Sequence, residues 1–178
     1  MTDAISHDLL ERFDVFKGLA DGQLDELRGA VDRCQFEPGT KLIMEGETSR
    51  QLFGLLEGRV EILKKDGDGE QRRLAVLDGD VVLGEHGFVL GERRTATVRA
   101  LDPVDALCLQ GEAFDRIDTE HDGIGRVNEH NILRMLAHRQ TEINRELLEL
   151  LDDTEGETAY HCDETNDLGD QLMRRWTV

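Results

Sequence analysis

Apolar residues change their spacing twice along the chain, and each change predicts a different kind of structure. From Ser6 to Phe13 and from Asp21 to Val31 they fall three and four apart (Leu9, Leu10, Phe13; Leu24, Leu27, Val31), the period of one helix face, with Ser6 and Asp21 as N-caps. Two short helices joined through "VFKGLADG" are expected. From Cys34 the apolar stretches become short and are cut by "EPGT", "MEGE", "LEGR", "KDGDGE" and "LDGD", turn signals recurring about every 8 to 12 residues. That spacing predicts antiparallel strands closed as a sandwich or barrel. Within it, "QLFGLLEGRVEILKKDGDGEQRRLAVL" reads as strand, turn, strand, hairpin, strand, because "DGDG" supplies the positive-φ residues of a tight hairpin. The last strands are "TATVRALD" and "VDALCLQ", separated by Pro103.

After Gln110 the helical period returns. "GEAFDRI" predicts a short helix, "DTEHDGIG" a break, and Arg126 to Leu151 a long helix, about 39 Å at 1.5 Å per residue. Leu133, Leu136, Gln140, Ile143, Leu147 and Leu150 take the a and d positions of a heptad, and a second row, Ile132, Met135 and Leu148, lies beside them. A small barrel cannot bury both rows over that length. The simplest solution packs one row on the chain's own barrel and the other on a partner's helix, giving a homodimer through Leu133, Leu136, Ile143, Leu147 and Leu150. A helix folded back wholly within the monomer is the alternative. Beyond Leu151 the sequence is acidic and mostly without periodicity, the composition of a flexible tail. The expected organisation is N-terminal helices and β-structure over residues 1–110, C-terminal helices over 111–151 and an acidic tail over 152–178.

Charge narrows the partners. With 39 acidic and 21 basic residues the formal net charge is -18, which opposes long-range attraction to nucleic acid and to anionic lipid. Any anionic ligand must be small and captured locally. No apolar run approaches the ~18 residues of a membrane span, and the acidic start "MTDAISHDLL" has the character of neither a signal nor a transit peptide. Cys34, Cys108 and Cys162 form no CxxC pair, so reduced thiols in a cytoplasmic setting are expected. The six histidines show no H-x-H or H-E-x-x-H spacing, and Ser6 and Ser49, the only serines, lie in no nucleophile motif. Neither catalysis nor a bound metal is expected.

One segment concentrates groups that recognise anions. In "LGEHGFVLGERRTATVRA", Leu83 to Ala100, Gly84, Gly87 and Gly91 allow backbone N–H groups to approach a ligand closely. Arg94 brings a planar fork that can bond two oxygens of one phosphate. Glu85, an acceptor-only carboxylate, suits a sugar hydroxyl. Phosphate and hydroxyl side by side describe a nucleotide; on these residues alone, a glycine-rich loop with a surface Glu–Arg pair is an almost equal reading.

"GEHGFVLGERRTATV" resembles the phosphate-binding cassette of the cyclic-nucleotide-binding domain family, which protein kinase regulatory subunits, cyclic-nucleotide-gated channels and bacterial catabolite activator proteins share. "FEPGTKLIMEGETSRQLFGLLEGRVEI" is similar to the family's first strands and turns, matching at Phe36, Pro38, Gly39, Glu45, Gly46, Glu47, Leu52, Phe53, Gly58 and Val60. "LDGDVVLGE" resembles the approach to the cassette, and "NILRMLAHRQTEINRELL" the helix by which bacterial members dimerise. The resemblance runs from about Leu9 to Leu151. It implies a mainly β fold with flanking helices: a double-stranded β-helix, or jelly-roll-like β-roll, with N-terminal helices and a long C-terminal helix.

Residue by residue, the resemblance implies that Arg94 binds the cyclic phosphate and Glu85 the ribose 2′-hydroxyl. The backbone around Gly84, His86 and Gly87 would donate to phosphate or accept from ribose. Thr95 takes the base-proximal position; a hydroxyl there accompanies cyclic GMP in some members and cyclic AMP in others, so the base stays open. Met135 to Arg139 would supply a lid. His86, Gly87 and Arg93 depart from the usual apolar residue, alanine and proline. Gly87 only eases backbone approach, Arg93 steers charge or pairs with Glu92, and His86 is either a pH-dependent donor or a side chain turned to solvent. The implied function is a cyclic-nucleotide sensor that relays occupancy through its C-terminal helix to a dimer or a protein effector. Bacterial transcription factors of the family carry a helix-turn-helix after the dimer helix, and only the acidic tail follows Leu151, so DNA binding is not expected. A structural or interaction module with this fold that binds no nucleotide is the alternative.

Overall fold

The structure, a computed structural model, describes residues 5–120 and 123–157, with side chains of the last helix described through Arg145 and at Leu148. Helix α1 (His7–Glu11), a 3₁₀ turn (Asp14–Phe16) and α2 (Asp21–Ala30) precede the strands β1 (Val31–Phe36), β2 (Lys41–Ile43), β3 (Gln51–Glu57), β4 (Arg59–Lys65), β5 (Gln71–Asp78), β6 (Val82–Leu83), β7 (Thr97–Ala100) and β8 (Val104–Gln110). Helix α3 (Glu85–Leu90) lies between β6 and β7, and α4 (Gly111–Glu120) and α5 (Ile124–Glu157) follow β8. The strands form two four-stranded sheets, β1-β8-β3-β6 and β2-β7-β4-β5, and every pairing is antiparallel. This is the mainly β roll with flanking helices and a long C-terminal helix that the sequence predicts.

Between the sheets lies a core that includes Ile43, Phe53, Leu55, Val60, Val98 and Ala106. Strand β8 is buried on both faces: Val104, Ala106 and Cys108 enter that core, while Leu107 and Leu109 line a small cavity with Val15 and Phe16 of the N-terminal segment. Helix α1 has five residues, too few to be stable on propensity. Burial of Leu10, Phe13, Val15 and Phe16 holds the segment instead, at roughly 1.5–3 kcal/mol for each large apolar side chain. Asn131 of α5 adds a polar tie, donating to the carbonyls of Val15 (3.2 Å) and Lys17 (2.8 Å).

Local chemistry explains where the elements begin and end. Ser6 caps α1, its Oγ accepting from Leu9 N at 3.2 Å. For α2 the cap is Ala20 rather than Asp21, and the Gln23 side chain accepts from Ala20 N at 3.0 Å in its place. The "DGDG" hairpin joins β4 to β5 as expected, with Asp66 Oδ1 accepting from Asp68 N and Glu70 N at 3.0 Å each. Strand β7 is shorter than "TATVRALD" at both ends, because the chain bends at Thr95–Ala96 and again at Leu101–Asp102. The break before α5 is also narrower than predicted, since α4 continues through Glu120. Helix α5 runs past Leu151 to Glu157, so the first residues of the expected tail are helical; residues 158–178 lie outside the described residues.

The chain divides into two compact units, Met1–Met135 and Leu136–Val178. Cys34 and Cys108, in the first, are free thiols, and burial pushes both up, Cys108 to about 12, which disfavours the reactive thiolate form. Among the described residues, no helix is long and apolar enough to cross a membrane, and no three metal-ligating side chains cluster.

Candidate functional site

The glycine-rich segment, in which the sequence predicts no helix, contains a six-residue helix, α3, held between two left-handed glycines, Gly84 (φ +83°) and Gly91 (φ +64°). Phe88 roots this helix in the protein, 2% exposed and edge-on to Phe114 of α4 at 5.3 Å between ring centres. Gly84 has a steric reason to be glycine besides its φ. A Cβ there would lie 2.5 Å from Arg94 Nη1 and 2.9 Å from the Gln51 carbonyl oxygen.

Arg94 is only 3% exposed. Its Nη1 donates to Gly84 O (2.7 Å), Nη2 to Gln51 O (2.6 Å) and Nε to Ser49 Oγ (3.2 Å). All three acceptors are neutral oxygens, so burial lowers its pKa; the negative charges of Glu85 and then Glu47 act in the opposite sense. A guanidinium has five N–H donors, and three are used here. The backbone fixes the same residue twice, through Arg94 N to Glu47 O (2.7 Å) and Gly46 N to Arg94 O (2.9 Å). Thr97 Oγ1 extends the tie between the two loops by accepting from Glu45 N at 3.0 Å.

The fold therefore brings Gly84, Glu85, Gly87 and Arg94 together, and Glu85 is buried, its negative charge acting on the Arg94 cation. A methyl at Gly87 would come within 3.1 Å of Arg94 Cδ, so glycine leaves the arginine room. His86 does not simply face solvent: the residue is half-buried, and its Nδ1 is enclosed without a hydrogen-bond partner. Thr95 is exposed, and its carbonyl accepts from Lys64 Nζ at 2.6 Å. Arg93 donates to Gly46 O at 2.8 Å instead of pairing with Glu92. The lid expected of Met135 to Arg139 falls across the boundary between the two compact units.

Sequence reasoning misses the tripeptide Ser49–Arg50–Gln51. Its outer members accept from Arg94, and its centre holds two helices. Arg50 forms a bidentate pair with Asp115 of α4 (2.6 and 3.0 Å), donates to Phe88 O of α3 (3.2 Å) and lies over the Phe88 ring at 5.9 Å. The pair holds the Asp115 carboxyl below its ordinary value. No spacing in the chain links residues 49–51 to Arg94; closure of the roll does.

Comparison with known protein families matches residues 33–121, half of the chain, to the cyclic nucleotide-binding domain. The cGMP-dependent protein kinase egl-4 of Caenorhabditis elegans is 26% identical over 110 residues, which are 61% of this chain and 14% of the kinase. The regulatory domain of Toxoplasma gondii PKA, solved with cAMP, is 26% identical with a TM-score of 0.58, over 62% of this chain and 42% of that one. A cyclic nucleotide-binding domain from Methylobacillus flagellatus KT is alike in fold, with a TM-score of 0.71 at 19% identity over 80% of this chain and 84% of that one. Among curated relatives, the chain spans from 14% of that kinase to 62% of a CRP-like cAMP-activated regulator of Mycobacterium tuberculosis. An antiparallel β-roll with a buried arginine beside a glycine-flanked acidic helix, matched over half the sequence, makes this chain a member of the cyclic nucleotide-binding domain family.

Proposed function

We propose that this chain is a sensor of a 3′,5′-cyclic nucleotide and that the ligand's phosphate sits at Arg94. The observation that carries the reading is the state of Arg94: a buried cation whose hydrogen bonds all go to neutral oxygens. Burying an ion costs several kcal/mol after relaxation, and carbonyl dipoles and the carboxylates of Glu85 and Glu47 offset that only in part. A phosphate reaching the two unused N–H groups completes the compensation with charge-assisted bonds. Glu85 then takes the ribose 2′-hydroxyl, and the backbone at Gly84, His86 and Gly87 borders the phosphate. Thr95 borders the base. Its hydroxyl does not choose between adenine and guanine, and the relatives are divided in the same way, one a cGMP-dependent kinase and another solved with cAMP.

Calorimetric titration with cyclic AMP, cyclic GMP and a cyclic dinucleotide tests the assignment. One of the mononucleotides is expected to bind with one site per chain. No heat from any of the three would leave a protein-interaction module built on the same roll.

The output is a change at α5, read by a second copy of the chain or by a protein effector in the cytoplasm. A net charge of -18 disfavours DNA as the recipient. Of the heptad row, Leu133 and Ile143 are 65% and 63% exposed and Leu136 is half-buried, whereas the side chains of Leu147 and Leu150 lie outside those described. Two exposed apolar residues on one helical row support a homodimer formed through α5. Light scattering is expected to report a dimer for the wild type and a monomer for the double variant Leu133→Asp/Ile143→Asp. An unchanged dimer would place the interface elsewhere. Both side chains are exposed, so the substitutions leave the roll intact.

A further inference from the structure

We propose that Arg50 is the positioning residue that couples the state of the Arg94 guanidinium to helix α4. The inference rests on the reading of Arg94 as the phosphate-binding residue and adds to it a route out of the site. Ser49 and Gln51 both accept from that guanidinium, at 3.2 and 2.6 Å, and one residue separates them. That residue touches α4 twice: its carbonyl accepts from Gly111 N, the first residue of the helix, at 2.6 Å, and its side chain grips Asp115 bidentately. It also holds the last turn of α3 through Phe88 O.

A phosphate bonded to the two unused N–H groups draws Arg94 towards itself and strains the bonds that its other N–H groups make to Ser49 Oγ and Gln51 O. Any shift of those acceptors moves the peptide that bears Arg50. There is little room to absorb such a shift locally, because Gly111 is packed so closely that a Cβ on it would lie 2.7 Å from Arg50 Cβ. The displacement must therefore pass into α4.

A purely structural role, a clamp between α3 and α4, is the competing account. The pair's side chains are 31% and 53% exposed, and partly exposed ion pairs contribute little to stability. The two accounts therefore differ in what they predict. A clamp lowers the melting temperature or does nothing, whereas a coupling residue changes how α4 responds to events at Arg94.

Hydrogen exchange of the α4 amides, Gly111 to Glu120, decides between them in the full chain. Saturation of the wild type with whichever of cyclic AMP or cyclic GMP binds is expected to change protection of these amides. In Arg50→Lys, which keeps the charge but loses the fork, and in Asp115→Asn, that response should fall by more than half, while nucleotide affinity changes less than about fivefold, the size of a weak allosteric coupling. Asp115→Glu should restore it. An equal α4 response in wild type, Arg50→Lys and Asp115→Asn overturns the proposal.

A ligand-free arm separates this failure from failure of the nucleotide assignment. Ser49→Ala removes an acceptor of Arg94 without touching Asp115. Its effect on α4 opening should be non-additive with Asp115→Asn by more than ~2-fold, beyond the scatter of independent sites. Additive effects overturn the coupling even in a chain that binds no nucleotide, and non-additive effects support it there.

Discussion

Replacing Arg94 with alanine lowers affinity for the cyclic nucleotide by at least about a hundredfold. Hydrogen bonds to charged groups are worth roughly 1.5–3 kcal/mol each; two of them lost from one phosphate exceed the ~2.7 kcal/mol that a hundredfold change in Kd represents. Stability moves much less, because two effects oppose. The substitution leaves Gly84 O and Gln51 O without their donor, at about 1–3 kcal/mol for each carbonyl that finds no water. It also removes a buried cation whose desolvation costs several kcal/mol. The melting temperature is therefore a control: a large loss of affinity with a small change in melting separates recognition from folding. Arg94→Lys keeps the charge and loses the fork, and should fall between, about tenfold weaker than wild type. Calorimetry that finds equal affinity in wild type and Arg94→Ala sinks the assignment of this residue to the phosphate.

The two sides of this site differ in how far the sequence reveals them. Glu85 and Arg94 are legible because they lie in one short segment whose glycines and charges can be read together. The hairpin of β4 and β5 is legible for the same reason, since "DGDG" is a local signal flanked by alternating strands. Helix α3 is not. Its six residues span under two turns, too few to show a helical period, and Gly87 within it argues for a loop. What makes it a helix is tertiary: Phe88 buried against Phe114, and left-handed glycines closing both ends. Ser49, Arg50 and Gln51 are the extreme case. They lie 43 to 45 residues before Arg94 and its loop, and meet it only when the roll closes. The same logic explains His86, where its neighbours, not its residue type, enclose Nδ1.

Two glycines of like backbone conformation should separate folding from binding. Gly58, between β3 and β4, has φ +91°, and a Cβ on it would lie 2.4 Å from Pro103 O and 3.0 Å from Val104 Cα, both rigid backbone. Gly84 has φ +83°, and its Cβ would meet Gln51 O at 2.9 Å and the movable end of Arg94 at 2.5 Å. An L side chain in the left-handed region costs roughly 1–2 kcal/mol before any clash, and each kcal/mol is worth about 2–4 °C in a chain of this size. Both alanine variants should therefore melt about 5 °C or more below wild type, Gly58→Ala the lower because neither of its close contacts can move aside. The ligand response divides them. Bound nucleotide raises the melting temperature by an amount set by ligand concentration over Kd, and Gly58→Ala, with Arg94 undisturbed, should keep the wild-type rise. Gly84→Ala pushes the guanidinium off Gly84 O and should lose most of that rise, with affinity about tenfold weaker or worse. A wild-type rise in Gly84→Ala would mean that the position of the guanidinium does not govern binding, and the phosphate would have to be held by other groups.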